Sequence, residues 1–388
     1  YSNNKHNAKI ECFDDSEYKI IKNKNILVSS KTTGYQGYSG IDDWYVVAQT
    51  TPHYVKGDGE LEDKELKNNY SLLNDTLKQI IEQANDLVDD IADVIINGEL
   101  IAAKQRVYVL TPILDNLRDI SSSLLQTITK SVYNLETVVK EAFIDDAKMA
   151  SSLAIDLMDR NLYERANDCR WWALTPLFEN ELSKENPNIG ELDKTLTYIN
   201  NLYTVYTDIF LFNPSGEIIT SSNSSNIIGN KLNENYITQT LSNKKSEKYF
   251  VSEFEKNKLY DNRATYVYSA SINNDDSKTC GIGVVFDSEP EFKAILDDSF
   301  PKNKKGFSVF VDSDRKIIST NSKTLNILDR LDIDEKYFTN LNDDVKTEFI
   351  VFNNIDYLIA IAPSKGYREY KNSDNYTNMV YAITFLEI

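Results

Sequence analysis

The residues best suited to chemistry lie in one stretch, RNLYERANDCRWWALT, which begins at Arg160. Within it, Arg170 is followed directly by Trp171 and Trp172. A guanidinium group binds a carboxylate through two parallel hydrogen bonds, and an indole ring offers an apolar or cation–π face. An arginine beside two tryptophans therefore suits the wall of a ligand pocket better than a catalytic centre.

The same stretch also supports a structural interpretation. Residues three or four apart are neighbours on a helix, so Arg160 can pair with Glu164, and Arg165 can pair with Asp168. The ion pairs then line the helix, and the two tryptophans dock on a sheet. Both interpretations are compatible with the sequence.

Few residues in the chain are suited to catalysis. His6 and His53 are the only histidines, which argues against acid–base or metal chemistry based on histidine. Cys169 stands beside a cationic residue but has no histidine nearby in sequence, so a buried helical cysteine is expected. Paired aspartates such as Asp145 and Asp146 lack the spacing of a calcium-binding loop. We therefore expect a protein that is not an enzyme and that carries neither a metal nor a cofactor.

The charge of the chain excludes one class of partner. Its 388 residues include 60 acidic and 42 basic side chains, for a formal net charge of −18. This surplus repels the phosphate backbone, so nucleic acid is not expected as a partner. No apolar run approaches the roughly 18 residues that a membrane span needs. The three cysteines are widely spaced and predict neither a disulfide framework nor a zinc site.

Two long regions of the chain have different periodicities. Between residues 61 and 184, apolar side chains recur every three or four positions, which predicts long amphipathic helices with breaks at Gly98 and Pro112. A further helix is expected over 190–205. From about residue 206 onward, short apolar strands alternate with polar turns. Helices followed by two sets of antiparallel strands predict an α+β protein with two similar small sheets in tandem.

Internal repeats support the pair of sheets. LFNPSGEII at 211–219 and FVDSDRKII at 310–318 share a strand–turn–strand pattern, which FDDSEYKII at 13–21 repeats. KNILVSSKTTGYQGY at 24–38 is echoed by DYLIAIAPSKGYREY at 356–370. The N-terminal part is therefore predicted to resemble the C-terminal part.

With these motifs, the chain resembles the double Cache (dCache) sensor modules of bacterial signalling proteins, in which long helices precede two PAS-like antiparallel sheets. MDRNLYERANDCRWWALT and NGELIAAKQ, together with GYQGYSGIDDWY and GYREYKNSDNY, resemble a chemotaxis-type family that carries Cache modules in tandem and is associated with CheW-like domains. The resemblance implies four parts: the end of a preceding Cache-like module (1–55), connecting helices (56–144), the long helix with the first, distal sheet (145–305) and the second, proximal sheet (306–388).

The resemblance also implies a binding site. In dCache domains that bind amino acids, the pocket uses an Arg-x-Trp-Tyr run on the long helix. Arg170 and Trp172 fit its first and third places, and Ala173 stands in the place of the tyrosine. Asp287 resembles the strand aspartate that holds a ligand ammonium group, and Tyr268 resembles a neighbouring wall residue. The predicted ligand contacts are Arg170, Trp171, Trp172, Tyr268 and Asp287.

The function predicted from these features is non-enzymatic signalling. A small molecule of the amino acid, amine, carboxylate or purine class binds the first sheet, and its binding is transmitted through helices that form a homodimer to chemotaxis proteins of the CheA and CheW type. In the alternative, the Cache units have lost ligand binding and act as a scaffold in a chemosensory complex. A cytoplasmic location is expected, and the alternative is an extracytoplasmic sensor region of a membrane receptor.

Overall fold

The fold divides into two compact units, which are Tyr1–Asn69 with Gln79–Asn134 and Tyr70–Lys78 with Leu135–Ile388. A computed structural model describes residues 17–20, 26–31, 45–50, 75–105, 108–243, 247–273, 279–339, 341 and 345–388. His6 and His53 lie outside the described residues.

The first unit contains a three-stranded antiparallel sheet and helical segments. The strands β1 (Glu17–Ile20), β2 (Ile26–Lys31) and β3 (Tyr45–Thr50) pair in that order. Helix α1 spans Asp75–Gln105, and helix α2 spans Thr111–Ala173, so that α2 contributes its first part to this unit. The assignment of residues 1–55 to a preceding Cache-like module stays a prediction, as do the other predicted domain boundaries.

The sequence predicts a turn or kink at Gly98 and at Pro112; a turn at Gly98 is wrong because α1 continues through it, and the interruption near Pro112 is confirmed. Gly98 lies inside α1, and a Cβ atom there would come within 2.8 Å of a methyl carbon of Leu114. The glycine thus allows α1 and α2 to approach closely, and it does not end the helix. Pro112 is the second residue of α2, where a missing backbone N–H costs little because the first N–H groups of a helix have no acceptor within it.

The second unit adds four α-helices and two five-stranded antiparallel sheets to the C-terminal part of α2. Helices α3 (Pro176–Leu182) and α4 (Ile189–Leu202) lead into the strands. The first sheet contains β4 (Tyr206–Phe212), β5 (Ile218–Ser221), β6 (Tyr249–Val251), β9 (Val267–Asn273) and β10 (Thr279–Phe286). Helix α5 (Asn235–Ser242) and the short strands β7 (Glu255–Lys256) and β8 (Ala264–Thr265) lie between them in the chain. Helix α6 (Ser288–Ser299) leads to the second sheet, which contains β11 (Gly306–Asp312), β12 (Ile317–Thr320), β13 (Lys346–Phe352), β14 (Ile355–Pro363) and β15 (Val380–Glu387).

Both five-stranded sheets have the same strand order. Neighbouring strands run β5-β4-β10-β9-β6 in the first sheet and β12-β11-β15-β14-β13 in the second. The hairpins predicted at 211–219 and 310–318 are confirmed. Asn213 Oδ1 accepts hydrogen bonds from the backbone N–H groups two and four residues ahead, at 2.9 and 3.0 Å, and Asp312 Oδ1 does the same at 2.9 and 2.8 Å. The third copy, at 13–21, lies partly outside the described residues. The α+β fold class with tandem antiparallel sheets is confirmed.

Helix α2 supplies part of the core beneath both sheets. Its Ala154–Ala173 part shares a hydrophobic cluster with apolar residues of the first sheet such as Ile209, Ile282 and Val284. Nearer the N-terminus of the unit, Phe143 and Ala147 pack with Leu358, Ala360 and Leu386 of the second sheet. No described helix is both long and apolar enough to cross a membrane.

Candidate functional site

The five predicted ligand contacts lie on three elements of the second unit. Arg170, Trp171 and Trp172 lie in the last turn of α2, Tyr268 lies in β9, and Asp287 is the N-cap residue of α6. The structure brings Arg170 and Tyr268 into one cluster of side chains and places the other three elsewhere. The ligand-binding role of all five stays a prediction.

The two tryptophans face in different directions. Trp172 is buried, and its ring meets those of Tyr203 and Tyr206 edge to face, at centroid distances of 5.0 and 5.3 Å. Trp171 is 78% exposed. Successive residues on a helix point roughly 100° apart, so only one tryptophan of the pair packs against the first sheet.

Asp287 has a separate set of neighbours. Its Oδ1 accepts a hydrogen bond from the Tyr260 hydroxyl, and the Arg263 guanidinium lies 3.8 Å from the centre of the Tyr260 ring. The backbone N–H of Asp287 donates to the Val205 carbonyl at 2.9 Å. The aspartate therefore joins the end of the first sheet to α6.

The ion pairs expected from the structural interpretation are present on α2. Arg160 Nε lies 3.2 Å from Glu164 Oε1, and Arg165 Nη2 lies 3.7 Å from Asp168 Oδ2. The buried helical cysteine is also confirmed, because Cys169 is fully buried and burial raises the pKa of its thiol well above the usual range. A thiol held in its neutral form is a poor nucleophile.

Arg170 links α2 to the loop between β14 and β15, residues 364–379, which we call the strap. Its Nη2 donates to Glu369 Oε1 of the strap at 2.9 Å and to Asn167 Oδ1 on α2. The guanidinium carbon lies 5.5 Å from the centre of the Tyr249 ring in β6. A hydrogen bond from its own backbone N–H and the contact with Arg170 lower the pKa of the Glu369 carboxyl. Arg170 thus contacts the strap and the first sheet at once.

Four tyrosines pack beside Arg170, and we call them the tyrosine cluster. The Tyr249 ring lies 6.3 Å from Tyr268 of β9, 6.3 Å from Tyr370 and 6.0 Å from Tyr376, measured between ring centroids. Tyr370 and Tyr376 belong to the strap. The Tyr249 hydroxyl donates to Asp374, which also lies in the strap. Residues from the second sheet's loop therefore complete a cluster that begins on the first sheet.

Two hydroxyl groups of the tyrosine cluster have no hydrogen-bond partner of normal geometry among the described residues, namely those of Tyr268 and Tyr370. Both side chains are almost fully buried, and burial raises the pKa of both phenols well above the usual range. A buried polar group without a partner lowers stability. The two hydroxyl groups interact with each other. Each can make a further hydrogen bond that no described residue supplies at normal geometry.

The charges around the tyrosine cluster are of both signs. Arg170 offers a cation to a carboxylate, Glu369 and Asp374 offer anions to an amine, and tyrosine ring faces attract ammonium groups. No group of three or more His, Cys, Asp or Glu side chains that could hold a metal occurs in the described part of the chain. The arrangement suits reversible binding of a small charged molecule.

Sequence reasoning missed most of this cluster. Tyr249 carries no distinguishing motif, and the remaining missed residues, Glu369, Tyr370, Asp374 and Tyr376, lie in GYREYKNSDNY. That motif supported the resemblance, and its mixture of tyrosine and acidic residues signals a polar aromatic surface. The sequence alone does not show that this loop reaches the first sheet.

Comparison with known proteins gives similarity in structure only. No family model and no curated protein matches the chain. The ligand-binding domain of the Campylobacter jejuni chemoreceptor Tlp3 in complex with 4-methylisoleucine is similar, with 15% sequence identity, coverage of 64% of this chain and 91% of that chain, and a TM-score of 0.47. The sensor domain of the V. cholerae histidine kinase DctB shows 12% identity, coverage of 64% and 98%, and a TM-score of 0.46. The chain is thus similar to sensory domains of a chemoreceptor and of a histidine kinase.

Proposed function

We propose that this chain is a non-enzymatic sensor that binds a small molecule beside Arg170 and the tyrosine cluster. The supporting observation is the Arg170–Glu369 ion pair next to two buried tyrosine hydroxyls without partners of normal geometry in the described structure. A ligand carboxylate replaces Glu369 on Arg170. A ligand amine then pairs with Glu369 or Asp374 and lies against a tyrosine ring.

The ion pair suits such an exchange because it is partly exposed. The side chains of Arg170 and Glu369 are 20% and 40% exposed. Exposed ion pairs typically contribute about 0–1 kcal/mol, so a ligand carboxylate displaces Glu369 at little cost. Amino acids match both charges of the site, while amines, carboxylates and purines match part of it.

Ligand binding at Arg170 acts directly on α2. This helix is continuous over 63 residues, and Arg170 lies in its last turn. A ligand shifts an equilibrium between two states only by its difference in affinity for them, and exchange of the Arg170–Glu369 pair supplies such a difference. The proposed output is a chemotaxis-type complex with proteins of the CheA and CheW type.

A binding screen with two matched arginine variants tests the sensor proposal. Thermal-shift measurements and titration calorimetry with amino acids, amines, carboxylates and purines are expected to identify one class that binds. Arg170→Ala should weaken that binding at least tenfold, which corresponds to about 1.4 kcal/mol. Arg160→Ala removes an exposed arginine of the same helix and should leave binding unchanged. A flat response to every class, or equal binding by the Arg170→Ala variant, would contradict the proposal.

We also propose that the chain forms a homodimer through its helices. Ile113, Leu117, Ile120 and Leu124 of α2 are exposed, and they follow the 4-3-4 spacing of a coiled coil. Analytical ultracentrifugation should give twice the monomer mass, and the double variant Ile113→Glu, Ile120→Glu should give the monomer mass. A monomer at micromolar concentration in the unaltered chain would argue against this partner.

The scaffold alternative makes a different prediction. Exposed apolar positions on α2 also fit a protein partner that binds without regard to a ligand. Capture of a CheA-type or CheW-type protein that is unchanged by every compound in the screen would favour the scaffold over the sensor. The cytoplasmic location expected from the sequence stays a prediction.

A further inference from the structure

The strap connects two strands of the second sheet, yet its side chains contact the first sheet. It connects β14 to β15, both of which are strands of the second sheet. Its side chains nevertheless contact Tyr249 of the first sheet, through Asp374, and Tyr266, the residue directly before β9, through Asn378, whose Nδ2 donates to the Tyr266 hydroxyl at 3.1 Å. The strap is therefore the segment through which the two sheets share a cluster of side chains.

A single carboxylate of α2 holds the start of the strap. Asp159 accepts hydrogen bonds from the Ser364 hydroxyl at 2.6 Å and from the backbone N–H groups of Lys365 and Gly366 at 3.0 and 2.8 Å. The Lys371 ammonium donates to the same carboxylate at 3.2 Å and to the Ser364 hydroxyl at 2.8 Å. The side chains of Asp159 and Lys371 are 2% and 7% exposed. The Asp159 carboxylate thus has four donors, all from the strap.

The backbone of the strap is held in an unfavourable conformation. Arg368, Lys371 and Asn375 have φ angles of 52°, 61° and 61°, in the left-handed region that side chains with a Cβ atom seldom adopt. Gly366 has φ 75°, and a Cβ atom there would overlap the Tyr370 carbonyl oxygen. Conformations of this kind persist only where surrounding contacts enforce them, and they concentrate at clamps and switch regions.

We infer that Asp159 is a positioning residue that latches the start of the strap onto α2, and that release of this latch withdraws Tyr370 and Tyr376 from the tyrosine cluster and exposes its first-sheet members, Tyr249 and Tyr268. The strained backbone favours release, while the four hydrogen bonds to one buried carboxylate oppose it. The Arg170–Glu369 ion pair, farther along the strap, is partly exposed and is a weaker hold. The contacts of Asp159 with the start of the strap therefore control whether later strap residues remain packed against the first sheet.

The latch also determines how a movement at the ligand site reaches the second sheet. This consequence rests on the proposed sensor function. A ligand that displaces Glu369 removes one hold on the strap and leaves the Asp159 latch in place. The strap then shifts about its fixed start, and the shift reaches β15, which begins at the other end of the strap. Release of both holds would leave the strap attached only through contacts such as those of Asp374 with Tyr249 and of Asn378 with Tyr266.

Hydrogen–deuterium exchange of the full chain without any ligand tests the latch. In Asp159→Ala, peptides that cover residues 364–379 are expected to exchange at least tenfold faster, whereas peptides from β9 and β10 keep their rates. Asp145→Ala removes an exposed carboxylate of the same helix and should match the unaltered chain. Unchanged exchange in the strap, or an equal increase in the strap and in both strands, would overturn the inference.

A second variant keeps the test decisive if Asp159→Ala fails to fold. Lys371→Met keeps the apolar stem of the side chain and removes the ammonium group, so it should give the same local increase in the strap at a smaller magnitude. An absence of local increase in that variant would also overturn the latch. No ligand is present in these measurements, so their failure leaves the binding proposal open, and a failed binding screen leaves the latch open.

Discussion

At the scale of single residues, the adjacent tryptophans provide a matched pair for testing which one supports the fold. Trp172 is buried against Tyr203 and Tyr206, whereas Trp171 is 78% exposed. Trp172→Ala should lower the free energy of unfolding by about 3–5 kcal/mol, because it leaves a large cavity. Trp171→Ala should change it by less than about 0.5 kcal/mol. Urea unfolding of both variants measures the difference, and equal effects would contradict the arrangement.

A partly buried carboxyl group, that of Glu291, makes a second residue-scale prediction, about pH. Burial raises the pKa of Glu291 in α6, while the Arg165 charge and a hydrogen bond from Asn161 lower it less strongly, and the Asp287 charge raises it. A folded-state pKa above the unfolded value means that the charged carboxylate costs stability at neutral pH. That cost disappears as the pH falls through the folded value.

Glu291→Gln should therefore be more stable than the unaltered chain at about pH 7.5, and the advantage should shrink toward about pH 4. Asp298→Asn alters an exposed carboxyl of the same helix and should give no comparable pH dependence. Chemical unfolding across this pH range provides the measurement. A Gln variant whose stability falls further below that of the unaltered chain as the pH rises would show that the charged form is favoured in the folded state.

Residue-scale features followed from the sequence only where the partners are close along the chain. The pairs Arg160–Glu164 and Arg165–Asp168 follow from helical spacing. Arg170 instead pairs with Glu369, which lies 199 residues away, and no periodicity predicts such a partner. For the same reason, the sequence identified Arg170 as a binding residue without showing the strap that covers it.

At the scale of elements, β10 shows why two glycines occupy a buried strand. A Cβ atom on Gly281 would overlap the Phe212 ring, and one on Gly283 would overlap the Phe210 ring. Gly281→Ala should therefore destabilise the chain by about 1–3 kcal/mol through overpacking. Gly190→Ala in α4 is the control, because a Cβ there meets only one atom, at an ordinary 3.7 Å.

A double-variant cycle separates ring overlap from any loss of backbone freedom at Gly281. Phe212→Leu reduces the group that the new methyl would meet, so the double variant should be more stable than the sum of the two single effects predicts. If the two changes in the free energy of unfolding simply add, the destabilisation by Gly281→Ala arises from the backbone of β10 and not from overlap with the Phe212 ring.

Elements whose boundaries depend on residues close in the chain were predicted well. Elements whose boundaries depend on packing against distant residues were not. The hairpins at 211–219 and 310–318 follow from turn residues that bond to their own backbone, as Asn213 and Asp312 do. Gly98 carries a signal for a helix break, yet it lies inside α1, where its missing Cβ leaves room for a methyl group of Leu114 in α2. Tertiary packing overrides propensity there.

At the scale of the whole molecule, repeated strand patterns predicted two similar sheets, and the shared strand order confirms them. The strand order itself, and the passage of the strap from one sheet to the other, depend on contacts between distant parts of the chain. One sequence contains no measure of such contacts. The fold class was therefore within reach of sequence reasoning, and the composition of the site was not.

The second unit is expected to fold without the residues that precede it. Its four hydrophobic clusters in the described structure consist of residues from Phe143 onward. A fragment of residues 135–388 keeps all of these clusters and should unfold at the same urea midpoint as the corresponding transition of the full chain. A fragment of residues 174–388 lacks α2, which contributes Ala154–Ala173 to the core under the first sheet, and should fail to fold cooperatively. Cooperative unfolding of the shorter fragment would mean that the two sheets fold without α2. If the shorter fragment does not fold cooperatively, α2 is a required part of the core, and a ligand that binds at Arg170 acts on that core.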